Sequence, residues 1–593
     1  MKSILKTALG TVLGIFLFLL ILIGTMIILN FRFRSSAKEF GKSGASASVL
    51  QIKLETPVIE GNETESMLFY PSSLTGIRFK EIIMAIEKAK TDKHIKGICL
   101  ELNQVEAGMT QLKDMRAALE NFKKSKKFVY AYGQRYSQGA YYLGSAADSV
   151  FLNPSGGIEF KGLGIEPLFY KKLAEKFGVT FTTYRHGNYK SAIEPYIQEN
   201  MSSESRVQST RLLRGLWKNI VVDISQSRKI APEKLNQIAD ELSGTLAELS
   251  YQNRLIDKLT YHDEFVEAVR KKLNIKSKAN ISFIPLPDYI EKNILEKKSN
   301  SNIAILYASG TIVQGHSSQG IQDETYKEII ADIKNNPSIK AVVLRINSPG
   351  GDALASENIY RELLDLKKEK PLIVSFGDQA ASGGYYIALA GEQIIASPIS
   401  VTGSIGVFGL IPDIKKLSEK LGITTDRVTT NANSIPFSPF NRINPQYKKM
   451  MVKGMERVYD NFINRVAKER KISLEQAEAV AQGQVWSGKE ALKKGLIDCF
   501  GNLDDAIKIA AEKAKIQEYT IMDFPKKRPW SEVLKNLYKT ENLQEQIKKV
   551  LNPGYSNMLK EIQYLKSASM IQARAPFKVS LGMISTSLNH QKN

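Results

Sequence analysis

Ser382 is the residue of this chain whose surroundings best fit a nucleophile. It lies in the run of residues 379–386, where two glycines and two tyrosines follow the serine directly. A serine needs a partner that activates its hydroxyl. The five histidines occupy positions 94, 186, 262, 316 and 590, so none falls between residues 316 and 590. We therefore expect the general base to be a residue other than a local histidine, and we predict a lysine.

A glycine pair upstream of Ser382 has the composition of an oxyanion-binding turn. Gly350 and Gly351 follow an apolar strand, in the sequence Asn-Ser-Pro-Gly-Gly. Glycine lets backbone N–H groups approach a ligand closely, and losing one oxyanion donor costs about 3–4 kcal/mol of transition-state stabilisation. Ser382 also opens a predicted helix, whose first N–H groups are free and whose dipole favours an anion. We predict an oxyanion hole formed by Gly350, Gly351 and the N–H of Gly383.

The chain contains one unit twice. Five ordered segments match at offsets of roughly 240–255 residues, which indicates an internal repeat. The matching segments are residues 49–61 with 303–315, 81–83 with 328–330, 95–103 with 339–347, 139–142 with 383–386 and 255–257 with 496–498. Within each unit, short strands that are apolar on both faces alternate with helices, and this pattern is typical of a parallel sheet covered on both sides.

The repeat predicts the domain organisation. We expect two tandem α/β domains, at residues 45–297 and 298–525, joined by a polar linker near residues 296–302. The tail at residues 526–593 is predicted to be helical and basic, and no chemistry is assigned to it.

The two copies differ where catalysis would take place. Gln138 stands at the position of Ser382, and residues 103–107 of the first copy lack the glycine pair. Conversely, Lys190 of the first copy has no lysine counterpart in residues 430–436 of the second. The serine and the lysine have therefore been kept in different copies.

This division indicates a site assembled between the copies. A lysine can act as a base when burial disfavours its charged form. We predict that Lys190 and Ser382 meet where the two domains face each other, and that the hydroxyl of Ser404 orients the lysine amine.

The bulk composition excludes several classes of site. The net charge is +21, but the lysines are spread through predicted helices and no nucleic-acid-binding module is present, so we expect no nucleic-acid partner. Solvated helix faces explain most of the charge, and attraction to an anionic membrane surface is the remaining interpretation. Cys99 and Cys499 are too few for a disulfide framework. No CxxC or HxxxH motif occurs, so we expect neither a metal nor another cofactor.

An N-terminal membrane anchor is predicted at residues 7–31. The segment has no charged residue, and its length suffices for a single helical span of a bilayer. A cleaved signal peptide is the alternative, but the apolar stretch is too long and no A-x-A site closes it. Lysines precede the segment and arginines follow it, so the flanking charges leave the orientation open.

The segments around Ser382, Lys190 and residues 401–407 resemble the long, duplicated form of signal peptide peptidase, also called protease IV. The resemblance covers nearly the whole chain, including residues 486–498. It implies two ClpP/crotonase-like domains, with Ser382 as nucleophile and Lys190 as general base. It also implies a homotetramer that cleaves remnant signal peptides at the outer face of the cytoplasmic membrane.

Two other functions remain as alternatives. The chain could be a membrane scaffold that binds peptides without cutting them, because the first copy shows that loss of the motifs is tolerated. It could also be an acyl-CoA enzyme of the crotonase type, which would share the fold and an oxyanion hole. The intact set of motifs in the second copy argues against the scaffold, and a dyad divided between the two copies argues against the acyl-CoA enzyme.

Overall fold

The structure, a computed structural model, describes residues 48–61, 76–275, 281–294, 299, 301–316, 320–441 and 443–526, and the backbone of residues 572–574. The anchor predicted at residues 7–31 lies outside this part of the chain, as does most of the tail. Within the described part, every helix is too short or too polar to cross a bilayer.

Two parallel sheets with the same strand order form the centres of the two halves. In the first half the strands lie in the order Lys258–Leu259, Ser149–Leu152, Phe128–Gly133, Ile95–Glu101, Ser48–Lys53 and Ser282–Pro285. In the second half the order is Cys499–Phe500, Gln393–Ala396, Leu372–Ala381, Ile339–Ser348, Asn302–Ser309 and Thr520–Phe524. All neighbours in both lists run parallel. The predicted duplicated α/β fold is confirmed.

The correspondence extends to details of the backbone. The register of the first-half sheet shifts directly after Ser48, and that of the second-half sheet shifts directly after Asn302. Each half also has a helix of 26 residues, Ser203–Arg228 and Pro445–Arg470. Each of these helices ends at a lysine in the left-handed conformation.

The strands are apolar on both faces because each sheet is covered on both sides. In the strand Asn302–Ser309, Ile303 and Ile305 belong to the same buried apolar cluster as the helix Leu503–Lys513, whereas Ala304 and Leu306 belong to the cluster that includes the helix Ala353–Lys367. Successive side chains of a strand point to opposite faces, so an apolar residue is needed at every position. Each fully buried isoleucine or leucine contributes roughly 1.5–3 kcal/mol.

The helices complete each half. Those of the first half are Phe79–Thr91, Met109–Lys123, Gln138–Gly144, Lys171–Phe177, Glu194–Ile197, Ser203–Arg228, Pro232–Asp240, Ala247–Gln252, His262–Lys272 and Leu286–Asn293. Those of the second half are Asp323–Asn335, Ala353–Lys367, Gly383–Ala388, Lys415–Lys420, Pro445–Arg470, Leu474–Val480, Gly488–Lys493 and Leu503–Lys513. A 3₁₀ turn at Ser191–Ile193 follows Lys190.

A third sheet joins the two halves. Its strands lie in the order Ile321–Gln322, Ile312–Val313, Gly350–Asp352, Gln572–Arg574, Val407–Asp413 and Thr180–His186. The last strand belongs to the first half, yet it pairs antiparallel along its whole length with Val407–Asp413 of the second half. Two smaller pieces, Val401–Gly403 and Val485–Ser487, extend the second-half sheet, and Val58–Ile59 pairs with Ile77–Arg78.

The tail prediction needs one correction. Residues 572–574 form a strand, not a helix, because their backbone pairs with strands on both sides.

A buried ion pair also connects the halves. Arg345 of the second half donates through Nε to Glu60 of the first half at 2.9 Å and through Nη2 at 3.1 Å. The Gln111 side chain donates to the same carboxylate at 3.0 Å. The two charged side chains are only 1% and 2% exposed, so neither has access to water as a replacement partner.

Candidate active site

Ser382 lies on a strained turn between a strand and a helix. The strand Leu372–Ala381 ends directly before it, and the helix Gly383–Ala388 begins directly after it. Its φ of 56° and ψ of −117° are rare for a residue with a side chain, and such conformations cost about 1–3 kcal/mol. Its N–H donates to the carbonyl of Gly403 at 2.7 Å, which holds the turn. The hydroxyl does not cap the helix and is left to contact other groups.

The side chain of Lys190 reaches Ser382 from the other half of the chain. Lys190 Nζ lies 2.7 Å from Ser382 Oγ, 2.8 Å from the carbonyl oxygen of Ser404 and 3.0 Å from Ser404 Oγ. All three residues are fully buried. The structure thus brings together the serine, the lysine and the orienting hydroxyl that the sequence singles out.

Burial determines the electrostatics of the lysine. Removal from water disfavours the ammonium form, and this desolvation holds the pKa of Lys190 well below its ordinary value. The three surrounding oxygens belong to two hydroxyls and one carbonyl, so the amine faces no carboxylate among its hydrogen-bond partners. The neutral amine is therefore populated at a lower pH than it would be for an exposed lysine.

The third sheet positions Lys190 beside Ser382. The strand Thr180–His186 pairs with the strand Val407–Asp413, which begins three residues after Ser404. The last pair of this ladder is His186 with Val407, four residues before Lys190. The Tyr189 N–H then donates to the carbonyl of Gln482 at 2.9 Å. A Cβ on Gly483 would lie 2.6 Å from the backbone nitrogen of Lys190, so glycine is needed for this close approach.

Gln208 is a positioning residue that the sequence does not reveal. It is fully buried on the helix Ser203–Arg228. Its Nε2 donates to the carbonyl of Tyr189 at 2.9 Å, and its Oε1 accepts from the N–H of Val485 at 3.3 Å. The side chain therefore links the residue before Lys190 to the strand that pairs with Val401–Gly403. A lone glutamine in a helix carries no periodic or motif signal that would have identified it.

Of the three predicted oxyanion glycines, Gly383 directly follows Ser382, and the helix that it begins contacts the strand Gly350–Asp352. A Cβ on Gly351 would lie 2.1 Å from the carbonyl oxygen of Ile312, which excludes a side chain there. Gly350 has a φ of 92°, and its N–H donates to Ser348 Oγ at 3.1 Å. Gly350 therefore shapes the turn, and its N–H is already hydrogen-bonded to Ser348 Oγ. Gly383 is the first residue of its helix, so its N–H has no acceptor within that helix.

Gln138, at the equivalent position in the first half, binds a loop of its own half. Gln138 Oε1 accepts from the N–H groups of Lys161 and Gly162, both at 3.0 Å, and its Nε2 donates to the carbonyl of Gly162 at 3.0 Å. The side chain thus ties down a loop at the place where the second half carries its serine.

Histidine and metal chemistry find no support among the residues that the structure describes. His186 is four positions before Lys190, but its ring stacks on Tyr459 with centroids 3.7 Å apart. In the described ranges, no three His, Cys, Asp or Glu side chains are grouped in a way that could hold a metal ion.

Comparisons with known proteins agree with this geometry. Residues 121–276 and 364–517 match the model of Peptidase family S49, and residues 296–402 match that of Clp protease. Protease 4 of Salmonella typhi is 37% identical over 450 residues, which cover 74% of this chain and 72% of that protein. The chloroplastic serine protease SPPA of Arabidopsis thaliana is 31% identical over 74% of this chain and 66% of that protein. A putative signal peptide peptidase SppA of Enterococcus faecium is 30% identical over 40% of this chain and 70% of that protein.

The duplicated parallel sheets and the serine at a strand-to-helix turn define an α/β protein with a ClpP-like fold. Both halves carry the same family match. The chain belongs to peptidase family S49 and is a serine peptidase.

Proposed function

We propose that Ser382 and Lys190 form a catalytic dyad that hydrolyses peptide bonds. The observation that carries the proposal is the 2.7 Å contact between Lys190 Nζ and Ser382 Oγ in a fully buried site. A neutral amine has two N–H groups and one lone pair. The N–H groups donate to the carbonyl and the hydroxyl of Ser404, which leaves the lone pair to accept the proton of the Ser382 hydroxyl.

The reaction follows from this arrangement. Lys190 removes the hydroxyl proton as Ser382 Oγ attacks the peptide carbonyl, and the N–H groups of Gly351 and Gly383 stabilise the tetrahedral oxyanion. The ammonium of Lys190 then donates its proton to the leaving amine, and an acyl ester forms on Ser382. A water molecule, activated by the neutral lysine, hydrolyses the ester and restores the serine.

The substrates are proposed to be hydrophobic peptides, in particular remnants of cleaved signal peptides. The name of the Enterococcus faecium relative supports this class. We also propose that residues 7–31 anchor the chain as a single span in the cytoplasmic membrane, with the catalytic halves on the extracytoplasmic side, and that the assembly is a homotetramer that binds no nucleic acid. The uncharged segment and the family resemblance support these proposals.

Peptide hydrolysis fits the site better than the two alternatives. A peptide-binding scaffold has no need of a strained serine beside a buried lysine. An acyl-CoA enzyme has no need of a base supplied by a second copy of the fold. Family membership also supports a peptidase.

The test compares three variants on a synthetic hydrophobic leader peptide in detergent micelles. Ser382→Ala should lower kcat by about 10⁶-fold, and Lys190→Met should lower it by about 10²–10⁴-fold. Lys172→Met is the matched control, because Lys172 is an exposed lysine of the same half that pairs with Glu199. Peptide cleavage that survives in Ser382→Ala would refute the dyad. Turnover of a CoA thioester by the wild type, and not by the Ser382 or Lys190 variant, would favour the acyl-CoA alternative.

A further inference from the structure

Three loops from distant parts of the chain meet beside the proposed dyad. We call them the lysine segment, the serine segment and the glutamine segment, at residues 187–190, 404–406 and 482–484. Two backbone hydrogen bonds join the glutamine segment to the serine segment. The N–H of Gly483 donates to the carbonyl of Ile405 at 2.7 Å, and the N–H of Ser404 donates to the carbonyl of Gln484 at 2.5 Å. The glutamine segment therefore fixes the loop that carries the Ser404 hydroxyl.

Gln482 binds the lysine segment through both its backbone and its side chain. Its carbonyl accepts from the N–H of Tyr189 at 2.9 Å, and its Oε1 accepts from the N–H of Asn188 at 3.4 Å. A Cβ on Gly187 would lie 2.5 Å from the carbonyl carbon of Gln482, so the two segments are in close contact. Gln482 has a φ of 56°, in the left-handed region that residues with a side chain rarely adopt. The contacts of its side chain help to keep this conformation.

Glu478 holds the side chain of Gln482. The Oε1 atom of Glu478 accepts a hydrogen bond from Gln482 Nε2, and its Oε2 accepts one from the hydroxyl of Tyr459 at 2.8 Å. Tyr459 is a buried residue of the helix Pro445–Arg470, and its ring stacks on His186. The carboxylate therefore connects the glutamine segment to a long helix of the second half.

The first half has the corresponding helix contact without a second acceptor. The two helices of 26 residues are offset by 242 positions, and at that offset Trp217 and Asn236 stand in the places of Tyr459 and Glu478. Trp217 Nε1 donates to Asn236 Oδ1 at 2.8 Å. The Asn236 amide nitrogen donates to the carbonyl of Pro232 at 2.9 Å. The second acceptor oxygen is thus found in the half whose loop meets the lysine segment.

We propose that Glu478 is a positioning residue for Lys190 and acts through Gln482. This inference rests on the proposed function. The carboxylate binds Gln482, Gln482 binds the two residues before the lysine, and the rest of the glutamine segment binds the serine segment. One side chain therefore fixes the lysine and its orienting hydroxyl relative to each other. A misplacement of about 1 Å that originates far from the reacting atoms can lower a rate by about 10²-fold.

The first test is the variant Glu478→Gln in the full chain, assayed on a hydrophobic peptide. It keeps one acceptor for Tyr459 and sets an amide donor against the amide donor of Gln482. We expect kcat to fall by about 10–10²-fold and KM to stay within about twofold. The acidic limb of the kcat/KM profile should move to higher pH, because a looser lysine segment admits water and burial is what lowers the pKa of Lys190.

Glu475→Gln is the matched control for this variant. Glu475 is an exposed glutamate of the same helix, Leu474–Val480, and its replacement should leave kcat and the pH profile as in the wild type. An unchanged kcat together with an unmoved acidic limb in Glu478→Gln would overturn the proposal.

An exchange of the two side chains separates positioning from a general loss of stability. Gln482→Glu alone sets two carboxylates against each other and should lower kcat as Glu478→Gln does. In the double variant Glu478→Gln/Gln482→Glu, the new amide donates to the new carboxylate, whose other oxygen still accepts from the N–H of Asn188. Its kcat should return to within about fivefold of the wild type. A double variant as slow as the slower single variant would contradict the role of Glu478.

Amide hydrogen exchange keeps this inference distinct from the dyad, because it requires no catalysis. In the Ser382→Ala chain, addition of Glu478→Gln should speed exchange of the Tyr189 amide by roughly tenfold, and the exchanged pair should restore it. Such a result would support the link from Glu478 to the lysine segment even if the dyad proved wrong. Exchange that is the same with and without Glu478→Gln would refute the link while leaving the dyad intact.

Discussion

Removal of the Ser404 hydroxyl should move the pH dependence of activity toward lower pH. Ser404 Oγ lies 3.0 Å from Lys190 Nζ, and the carbonyl of the same residue lies 2.8 Å away. In the proposed dyad, activity requires the neutral amine, so log kcat/KM should rise with pH through the pKa of Lys190 and then level off. Burial already lowers this pKa. The acceptor oxygens oppose that shift, because they bind the ammonium more strongly than the amine.

The size of the shift follows from the lost hydrogen bond. A hydrogen bond to a charged group contributes roughly 1.5–3 kcal/mol and one between neutral groups roughly 0.5–1.5 kcal/mol. Deleting Ser404 Oγ therefore removes about 1–1.5 kcal/mol that favours the charged form. One pKa unit corresponds to about 1.4 kcal/mol. In Ser404→Ala the acidic limb of the log kcat/KM profile should move to lower pH by about one unit. The plateau value of kcat/KM should fall because the amine is oriented less well.

The assay is kcat/KM for a hydrophobic peptide between about pH 5 and pH 10. Ser404→Gly provides a second variant, because Ser404 has a φ of 52° that glycine adopts without strain. It should show the same shift. Thr402→Val is the control, since its buried hydroxyl donates to the carbonyl of Ala380 and not to the lysine site. If the acidic limb of the kcat/KM profile stays in place in both Ser404 variants, or moves to higher pH, Ser404 does not raise the pKa of Lys190 and this prediction is refuted.

Two further perturbations test the connection between the halves and the glycine turn. Arg345→Met leaves the Glu60 carboxylate buried without its cation, so the free energy of unfolding should fall by about 3–5 kcal/mol in urea titrations. A double variant with Glu60→Met should recover much of this loss. An unchanged midpoint of urea unfolding in the single variant would contradict the stabilising role of the ion pair. Gly351→Ala places a Cβ 2.1 Å from the carbonyl oxygen of Ile312 and should lower kcat by about 10²–10³-fold. Gly164→Ala, where a Cβ meets no atom within 4 Å, should leave kcat unchanged and serves as the control.

The duplication made the fold and part of the site predictable. Matching segments locate the strands, and apolar residues at successive strand positions indicate a parallel sheet covered on both faces. The comparison of copies also isolates Lys190 among many lysines, because only an asymmetry between repeats distinguishes it. The contact between Lys190 and Ser382 agrees with that comparison.

The contacts that the sequence did not reveal depend on distant parts of the chain. Glu60 and Arg345 are 285 positions apart, and no local pattern relates them. Gln208 acts through two backbone groups on different segments. The strand Gln572–Arg574 has three residues, which is too short for a hydrophobic period to appear. In each case the partner is chosen by tertiary packing and not by local propensity.

The pairing of the strand Thr180–His186 with the second half has a consequence for the timing of biosynthesis. A nascent chain of about 300 residues already carries Lys190, but its pairing partner Val407–Asp413 has not been translated. The contact between Lys190 and Ser382 therefore forms late, after both segments have been translated and have paired. If the proposed dyad is the catalytic pair, a product that ends before Ser382 carries the lysine without the nucleophile and cannot hydrolyse a peptide.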